Sequence, residues 1–369
     1  MEPFKNFINA TVVRTLAQAV KDAYPKFADK RFEKSCLASL DSLELKQRAQ
    51  LIAAQLWQEL PRDPSQAMET VRQAILPLPT LEEDDSLDGW VYMPLNSLLT
   101  AHALEAVDAS LKLIPEVTKR FTAEFGIRVL LIHQPQKVFP HLKRWAKDPD
   151  PNLRRLVSEG TRPRLPWGEQ IPAFVQDPRP VLPLLEILKD DPSLYVRRSV
   201  ANNLNDISKD NPELMLDTIE AWLPQAGPQR QQLLRHACRS LIKQGYPRCL
   251  ALLGYGTPQL KVHAFAASPD AIQLGQKLTL SLELHSTARQ AQELIVDYRF
   301  HLVKANGQTA PKVFKGNSLT LGPGAKRYLQ KSFHLKPITT RKYYTGTNTI
   351  ELLINGQSLA SIPFHLTVS

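Results

Sequence analysis

Three carboxylates set among arginines are the strongest chemical signal in this 369-residue sequence: Glu124, Glu159 and Asp206. The segments around Glu124 and Glu159 share a basic pair followed by a glutamate, and Asp206 lies on the flank of a helix predicted over residues 194–209. Because repeated helices present matching positions to the same side, we expect the three carboxylates to project toward one strip. Carboxylates so placed can stabilise a developing positive charge or orient a water molecule.

Each carboxylate also has an ordinary structural interpretation. Glu124 precedes Arg128 by four residues, which is the spacing of a helix ion pair, and Asp206 could be a solvated carboxylate at the end of its helix. Glu159 is harder to explain structurally, because it precedes Gly160 at a predicted helix end, where the macrodipole disfavours an acid. The basic side chains expected around the strip are Arg120, Arg128, Arg155, Arg162, Arg164 and Arg198.

The segment that follows Glu159 contains six prolines between residues 161 and 183, so no long regular helix can form there. This basic segment carries Trp167. A tryptophan in such a loop either packs the loop onto the helices as a plug or offers its face to a cation or a nucleobase. The sequence leaves both interpretations open.

Other kinds of catalytic site find little support. The nine histidines lie far apart, and the sequence contains no HExxH, CxxC or GxSxG motif and no glycine-rich phosphate loop. Three scattered cysteines, Cys36, Cys238 and Cys249, do not indicate a disulfide framework. No apolar run approaches the roughly 18 residues of a membrane span, and the first residues lack the features of a signal peptide. We therefore expect a reduced cytosolic protein.

The charge of the chain is unevenly distributed. The formal net charge is +10, made up of −5 over residues 1–118, +7 over 119–256 and +8 over 257–369. An acidic beginning followed by two basic regions suggests a polyanionic partner for the second and third parts. The alternative is a soluble basic protein with no such partner.

The elements that must position these residues are helices up to about residue 256, because apolar residues recur there at three- and four-residue spacing. WAKDPDPNLRRLVSEG near residue 150 resembles LKDDPSLYVRRSVANN near 193, with Arg154 and Arg197 in register. The two arginines are 43 positions apart, and a repeat period of about 40–47 residues is that of HEAT-type helical pairs. Weaker copies near residues 119 and 231 predict four stacked pairs in an α-solenoid, and we expect the Asp-Pro step of each strong copy to cap its helix.

After residue 256 the pattern alternates between apolar and polar residues, as in KLTLSLELHS and ELIVDYRFHLV. Asn306-Gly307 and Asn355-Gly356 are hairpin-turn dipeptides. We therefore predict two domains: a helical-repeat domain over residues 1–256 and an immunoglobulin-like β-sandwich over residues 257–369.

The strings SEGTRPRLPWG at 158–168 and RRSVANNLNDISKDNP at 197–212 resemble the bacterial HEAT-like-repeat DNA alkylation repair glycosylases, in particular the AlkC branch. The resemblance covers roughly residues 1–256. It implies a monofunctional enzyme, without metal or redox cofactor, that hydrolyses the N-glycosidic bond of 3-methyladenine and also 3-methylcytosine. It assigns catalysis to Glu124, Glu159 and Asp206, with Trp167 as the aromatic neighbour and Arg162 and Arg164 as part of the motif.

The expected partner is therefore double-stranded DNA that contains methylated bases, bound by a monomer with no membrane and no metal. We expect phosphate contacts from Arg120, Arg155, Arg162, Arg164 and Arg198, and from Arg341 and Lys342 in a β domain that closes over the DNA. The alternative from a different class is a helical-repeat scaffold that binds nucleic acid or protein without catalysis.

Overall fold

The computed structural model describes residues 3–80, 88–338 and 341–368. The chain divides into two compact units, Met1–Ala237 and Cys238–Ser369. The first unit is helical, and the second contains all the strands together with two short helices that precede them.

The helices of the first unit are mostly short and often begin at a proline, as the prolines of the sequence predict. They are α1 (Ala10–Ala23), α2 (Asp29–Leu37), α3 (Leu45–Glu59), α4 (Pro64–Ile75), α5 (Met93–His102), α6 (Val107–Thr118), α7 (Gly126–His133), α8 (Pro135–Trp145), α9 (Pro151–Gly160), α10 (Pro172–Gln176), α11 (Leu182–Leu188), α12 (Leu194–Ile207), α13 (Pro212–Trp222) and α14 (Pro228–Ala237).

Four of these helices pack in sequence order: α6 against α9, α9 against α12, and α12 against α14. In this stacked row α9, α12 and α14 come from three of the four copies expected from the sequence, whereas α6 ends at Thr118, just before the weak copy at residue 119. Buried leucine and valine residues of α9 and α12 face one another across it, as the apolar spacing predicts. The helical repeat is confirmed.

The strong sequence repeat reappears as a repeated set of hydrogen bonds. Arg154 donates to the main-chain carbonyls of Asp148 and Pro149, at 2.8 Å each. Arg197 donates to the carbonyls of Asp191 and Pro192 in the following copy. Each arginine thus fastens the turn that precedes its own helix.

The Asp-Pro steps at 148 and 191 do not cap the helices, contrary to expectation, although α9 does begin with an aspartate cap and a proline in its first turn, at Asp150 and Pro151. The caps lie two residues later, where Asp150 accepts from the Asn152 amide at 2.8 Å and Ser193 accepts from the Val196 amide at 3.2 Å. Asp148 and Asp191 instead accept from the main-chain amides of residues 150 and 193. They close the turn and leave the cap to the next polar residue.

The second unit begins with α15 (Arg239–Gln244) and α16 (Pro247–Leu252). Its strands are β1 (Leu260–Ser268), β2 (Ala271–Gln273), β3 (Lys277–Ser286), β4 (Gln292–Val303), β5 (Thr309–Leu321), β6 (Lys326–His334), β7 (Gly346–Ile354) and β8 (Gln357–Thr367). They form a three-stranded sheet in the order β1-β3-β6 and a five-stranded sheet in the order β2-β8-β7-β4-β5. Only β2 and β8 pair in parallel among the described strands.

The two sheets enclose one hydrophobic core. Alternate leucines of β3, from Leu278 to Leu284, point into this core together with Tyr298 and Phe300 of β4. The predicted Asn355-Gly356 turn joins β7 to β8, with φ angles of 45° and 76° that favour these two residue types. The alternating pattern therefore produced the predicted β-sandwich.

Within the described residues, no helix has both the length and the apolar character that a membrane span requires.

Candidate active site

Glu159 lies in the last turn of α9, where its side chain is almost completely buried. The Ser199 hydroxyl of α12 donates to one carboxylate oxygen at 2.6 Å, and Arg162 donates to the other at 2.5 Å. Arg155, one turn earlier on α9, places a guanidinium nitrogen 3.6 Å from the same carboxylate. Packing of α9 against α12 therefore surrounds Glu159 with a hydroxyl and two cations.

Asp206 lies near the end of α12 and is 1% exposed. Arg162 donates to one of its oxygens at 2.6 Å, and Lys209 donates to the other at 2.6 Å. Arg162 thus bridges Glu159 and Asp206. The interpretation of Asp206 as a solvated carboxylate is wrong, because both of its oxygens are bound to cations inside the protein.

Glu124 lies in the turn between α6 and α7, because α6 ends at Thr118, before the weak sequence copy at 119–128. Arg155 donates to Glu124 at 2.7 Å, and the Thr122 hydroxyl donates to the same oxygen at 3.1 Å. The helix ion pair expected between Glu124 and Arg128 is not formed. Glu124 joins the other carboxylates through Arg155 instead.

The result is a continuous series of contacts that we call the ion-pair chain: Glu124, Arg155, Glu159, Arg162, Asp206 and Lys209. Acids and bases alternate along it, so that its formal charges balance. The guanidinium carbon of Arg155 also lies 4.9 Å from the centre of the Tyr195 ring. This cation–π contact helps to orient the guanidinium group. All three predicted carboxylates meet in this one structure.

The electrostatics of the ion-pair chain keep Glu159 ionised. Burial by itself raises the pKa of the Glu159 carboxyl, but the charges of Arg155 and Arg162 and the Ser199 hydrogen bond outweigh it and hold the pKa below its usual range. Burial lowers the pKa of Arg162, while Glu159 and Asp206 raise it by more. Glu159 and Arg162 are therefore both charged at neutral pH.

Arg128 shapes the loop that follows α9. It is 1% exposed and donates to the main-chain carbonyls of Gly160, Arg162 and Glu169 at 3.0, 2.8 and 2.5 Å. Burial, and next the charge of Arg162, lowers the pKa of Arg128 to about 10. This arginine is placed to hold the loop rather than a ligand, since its donors face carbonyl oxygens.

Trp167 lies at the tip of this loop with 68% of its surface exposed. Its φ angle of 65° is in the left-handed region that bulky residues seldom adopt. Lys46 of α3 donates to its main-chain carbonyl at 2.9 Å and lies 5.9 Å from its ring centre. A plug would be buried, so the plug interpretation is wrong, and the indole is free to meet a ligand.

A cavity of about 310 Å³ lies beside Trp167 in the first unit. Its walls come from α3, α5 and the start of α7, and they are largely apolar, with Met93, Phe125 and Val129 among them. Lys46, Gln50 and Glu169 contribute polar groups.

The other predicted DNA-binding side chains differ in accessibility. Arg198 is exposed and has no partner in the part of the chain that the structure describes, whereas Arg164 forms a bidentate ion pair with Asp210 at 2.6 and 2.7 Å. Arg120 is 3% exposed and donates to the carbonyls of Leu76 and Leu78 and to Glu116. Arg120 therefore lies away from any accessible surface and fastens a loop.

Arg341 and Lys342 lie in the second unit, beside the rings of Tyr343 and Tyr344 at 6.0 and 5.7 Å. Across the described ranges, no group of three or more His, Cys, Asp and Glu side chains is arranged to hold a metal ion.

Comparison with known proteins places this geometry in a family. The family model "Uncharacterised protein YhaZ, C-terminal Ig-like domain" matches residues 261–368. Over 368 residues the chain is 34% identical to "Uncharacterized protein YhaZ" of Bacillus subtilis (strain 168), covering 99% of this chain and all of that protein. The solved structure of Pseudomonas fluorescens alkylpurine DNA glycosylase AlkC, bound to DNA containing an abasic site analogue, is 36% identical, with a TM-score of 0.89 over 99% of this chain and 100% of that one.

The chain belongs to the AlkC branch of the HEAT-like-repeat DNA alkylation repair glycosylases. The predicted family and both predicted fold types, the HEAT-like repeat and the immunoglobulin-like domain, are confirmed.

Sequence analysis missed two contributors to this site, Lys209 and Lys46. Lys209 donates to Asp206, and Lys46 donates to the main-chain carbonyl of Trp167. Arg128 was expected at the strip of carboxylates, but it holds the loop after α9 instead. Lys209 follows Asp206 by three positions, a spacing from which a local ion pair could have been predicted. Lys46 is 121 positions from Trp167, and no local pattern could have paired them.

Proposed function

We propose that this protein is a DNA glycosylase of alkylation repair that hydrolyses the N-glycosidic bond of cationic N-methylated bases, 3-methyladenine first and 3-methylcytosine as well. The observation that carries the proposal is the ion-pair chain, which places Glu124, Glu159 and Asp206 in one buried and charge-balanced array. The similarity to the AlkC structure over the whole chain supports the same activity.

The chemistry of the substrate explains why carboxylates suffice. A base methylated at N3 carries a positive charge and leaves without protonation by a general acid. Positive charge then develops on the sugar, as in the oxocarbenium-like transition state of glycoside hydrolysis. A preorganised carboxylate nearby stabilises that charge and can orient the attacking water.

The three carboxylates differ in what their surroundings allow. Glu124 is the most accessible, with 13% of its side chain exposed, and we assign it the placement of the water. Glu159 stabilises the sugar cation with a charge that its arginines keep ionised. Asp206 adds its charge from a greater depth and holds Arg162 and Lys209 in place. In a site of low dielectric constant, a carboxylate can stabilise the sugar cation without touching it.

Trp167 and the accessible arginines complete the proposal. The exposed indole offers a face to the cationic base, with Lys46 fixing the backbone behind it. Arg198 and Arg164 contact DNA phosphates, while Arg155 and Arg162 orient the carboxylates. Arg341 and Lys342 add phosphate contacts from the second unit. The substrate is duplex DNA containing methylated bases, bound by a monomer in the cytoplasm.

The deciding experiment incubates the full-length protein with methylated duplex DNA and measures release of free 3-methyladenine and 3-methylcytosine by chromatography. Release by the wild type, and its loss in Glu159→Gln, are expected. Glu186→Gln is the matched control, because Glu186 is an exposed glutamate paired only with Lys189 in the described structure. If the folded wild type binds DNA and releases no base, the noncatalytic scaffold is the better description.

A further inference from the structure

A second cavity lies within the unit Cys238–Ser369 and contains none of the candidate catalytic residues. It measures about 590 Å³ and opens between α15 and the strands β4 and β5. Lys243 and Gln244 line it from α15, and Arg299, His301 and Lys312 line it from the strands. Four of these five side chains are basic.

The acidic side chains near this cavity balance the charge only on the side of Arg299. Glu351 accepts from Arg299 at 2.9 Å and lies 3.4 Å from Nε2 of His301. Asp297 is committed to the main-chain amide of Gly316, from which it accepts at 3.0 Å. Charge on the Arg299 side is therefore balanced by Glu351, while Lys243 and Lys312 are not paired with an acid in the described structure.

On the other side, Lys312 lies near two further cations. The pKa of the Lys312 amine is lowered, first by burial and then by the charges of Arg341 and Lys243. Gathering three cations in a partly buried place costs free energy unless an anion joins them. Bringing these cations together therefore lowers the stability of the folded protein when no anion is bound.

One buried nitrogen atom near these cations lacks a partner. Nη1 of Arg341 has no hydrogen-bond partner among the residues that the structure describes. Buried polar atoms are nearly always hydrogen-bonded in folded proteins. An unused donor beside cations without an acid is what an anionic ligand with several acceptor oxygens would satisfy.

We propose that this cavity is a phosphate-binding site, in which Lys243 and Lys312 meet the oxygens of one phosphoryl group and Arg341 adds its charge from beside the cavity. A phosphoryl group matches the site because it combines up to two negative charges with three acceptor oxygens. The group can come from the DNA backbone, a source that rests on the proposed function, or from free phosphate or a nucleotide, a source that does not.

The experiment uses the full-length protein, the double variant Lys243→Gln/Lys312→Gln, and a control of equal charge change, Lys261→Gln/Lys277→Gln. Both control lysines lie on the three-stranded sheet, outside the cavity. One arm titrates inorganic phosphate and follows line broadening of its phosphorus NMR signal. The other measures the affinity for an unmodified duplex between 50 and 200 mM salt. Thermal melting of each protein verifies that it is folded.

If the phosphoryl group belongs to DNA, the slope of log K against log salt becomes shallower by about 0.9 for each phosphate that the cavity variant no longer binds. If the ligand is free phosphate, the wild type and the control broaden the phosphate signal, the cavity variant does not, and the DNA slope is unchanged. An unchanged slope together with equal broadening, or no broadening, in all three folded proteins overturns the proposal. Neither arm depends on base excision, so failure of the glycosylase proposal is a separate result.

Discussion

The ion-pair chain of the first unit and the cation-lined cavity of the second contain similar numbers of basic groups and use them in opposite ways. In the ion-pair chain, Arg155, Arg162 and Lys209 each contact a carboxylate, so the charges are fixed and balanced. In the cavity, Lys243 and Lys312 converge without an acid of their own in the described structure. The first arrangement is the one that we propose for catalysis, and the second is the one that we propose for binding an anion.

The difference shows that net charge is a poor guide to the positive charge that is accessible to a ligand. The basic region over residues 119–256 has a net charge of +7, and the region over 257–369 has +8. Several cations of the first region are buried arginines that bind main-chain carbonyls or carboxylates, such as Arg128 and Arg162. The net charge of residues 119–256 therefore overstates the positive charge that this region offers to a ligand.

The largest expected effect is on stability. Arg162→Gln leaves Glu159 and Asp206 without their shared cation in the interior, and loss of one partner of a buried ion pair costs about 3–5 kcal/mol. Lys312→Gln in the cavity removes a cation that its neighbours repel, and we expect it to leave stability unchanged or higher. Urea unfolding of both variants measures the contrast. Equal stability losses would show that the two groups of charges are not different in kind.

Next in size is the effect of Glu159→Gln on catalysis. Gln can retain a hydrogen bond to Ser199, but it lacks the charge that stabilises the sugar cation. Removing one preorganised electrostatic group costs about 2.7–4 kcal/mol, or about 10²–10³ in rate. The single-turnover excision rate of Glu159→Gln should fall by that factor, while its DNA affinity stays at the wild-type value. Asp206→Asn should also lower the excision rate. Near-normal excision by both variants would contradict the assignment of the catalytic carboxylates.

A smaller effect is expected for Trp167→Ala. The cation–π contribution of an indole is about 0.5–2 kcal/mol, so excision of a cationic base at limiting enzyme should fall by about 2- to 30-fold. Because the side chain is 68% exposed, the melting temperature should hardly change. Excision and melting are measured on the same preparation. A large loss of stability would contradict the conclusion that this exposed side chain does not pack the loop onto the helices.

Neutralising the second unit should affect binding more than chemistry. Arg341→Gln/Lys342→Gln is expected to weaken DNA binding and to lower the slope of log K against log salt by about 0.9 for each phosphate that these side chains neutralise in the wild type. Excision at saturating enzyme should remain near the wild-type rate, since neither side chain belongs to the ion-pair chain. A slower excision rate at saturating enzyme, together with an unchanged slope of log K against log salt, would contradict the assignment of these side chains to binding rather than to chemistry.

The smallest expected effect is a difference between two buried carboxyls, those of Glu159 and Asp297, in how they make stability depend on pH. Because the pKa of Glu159 is lowered in the folded state, its contribution to stability is present above its ordinary pKa and is lost as the pH falls through the lowered value. Burial raises the pKa of Asp297, so its ionisation costs stability, and this cost appears as the pH rises through the raised value. Asp297→Asn should therefore raise the melting temperature at pH 7 and not at pH 4. A gain of equal size at both pH values would exclude ionisation as its cause.

Local patterns were sufficient to predict the elements of both units. The 43-residue spacing of Arg154 and Arg197 became a repeated set of hydrogen bonds, and alternating leucines became the core face of β3. The weak copy at residue 119 was less reliable, since its helix ends at Thr118 and leaves Glu124 in a turn. A short resemblance between two segments does not fix where a helix stops, because the cap and the tertiary contacts decide that.

The sequence by itself determined the helical repeat, the β-sandwich, the family, and the three carboxylates around which the candidate site is built. Periodicity and turn residues act over a few positions, so they can be recognised without knowledge of the fold. Only the tertiary structure decided which arginine meets which carboxylate. Arg155 reaches Glu124 across 31 positions, and Arg162 reaches Asp206 across 44. Such pairs depend on how far one helix is offset against the next, and this offset is set by side-chain packing over the whole interface.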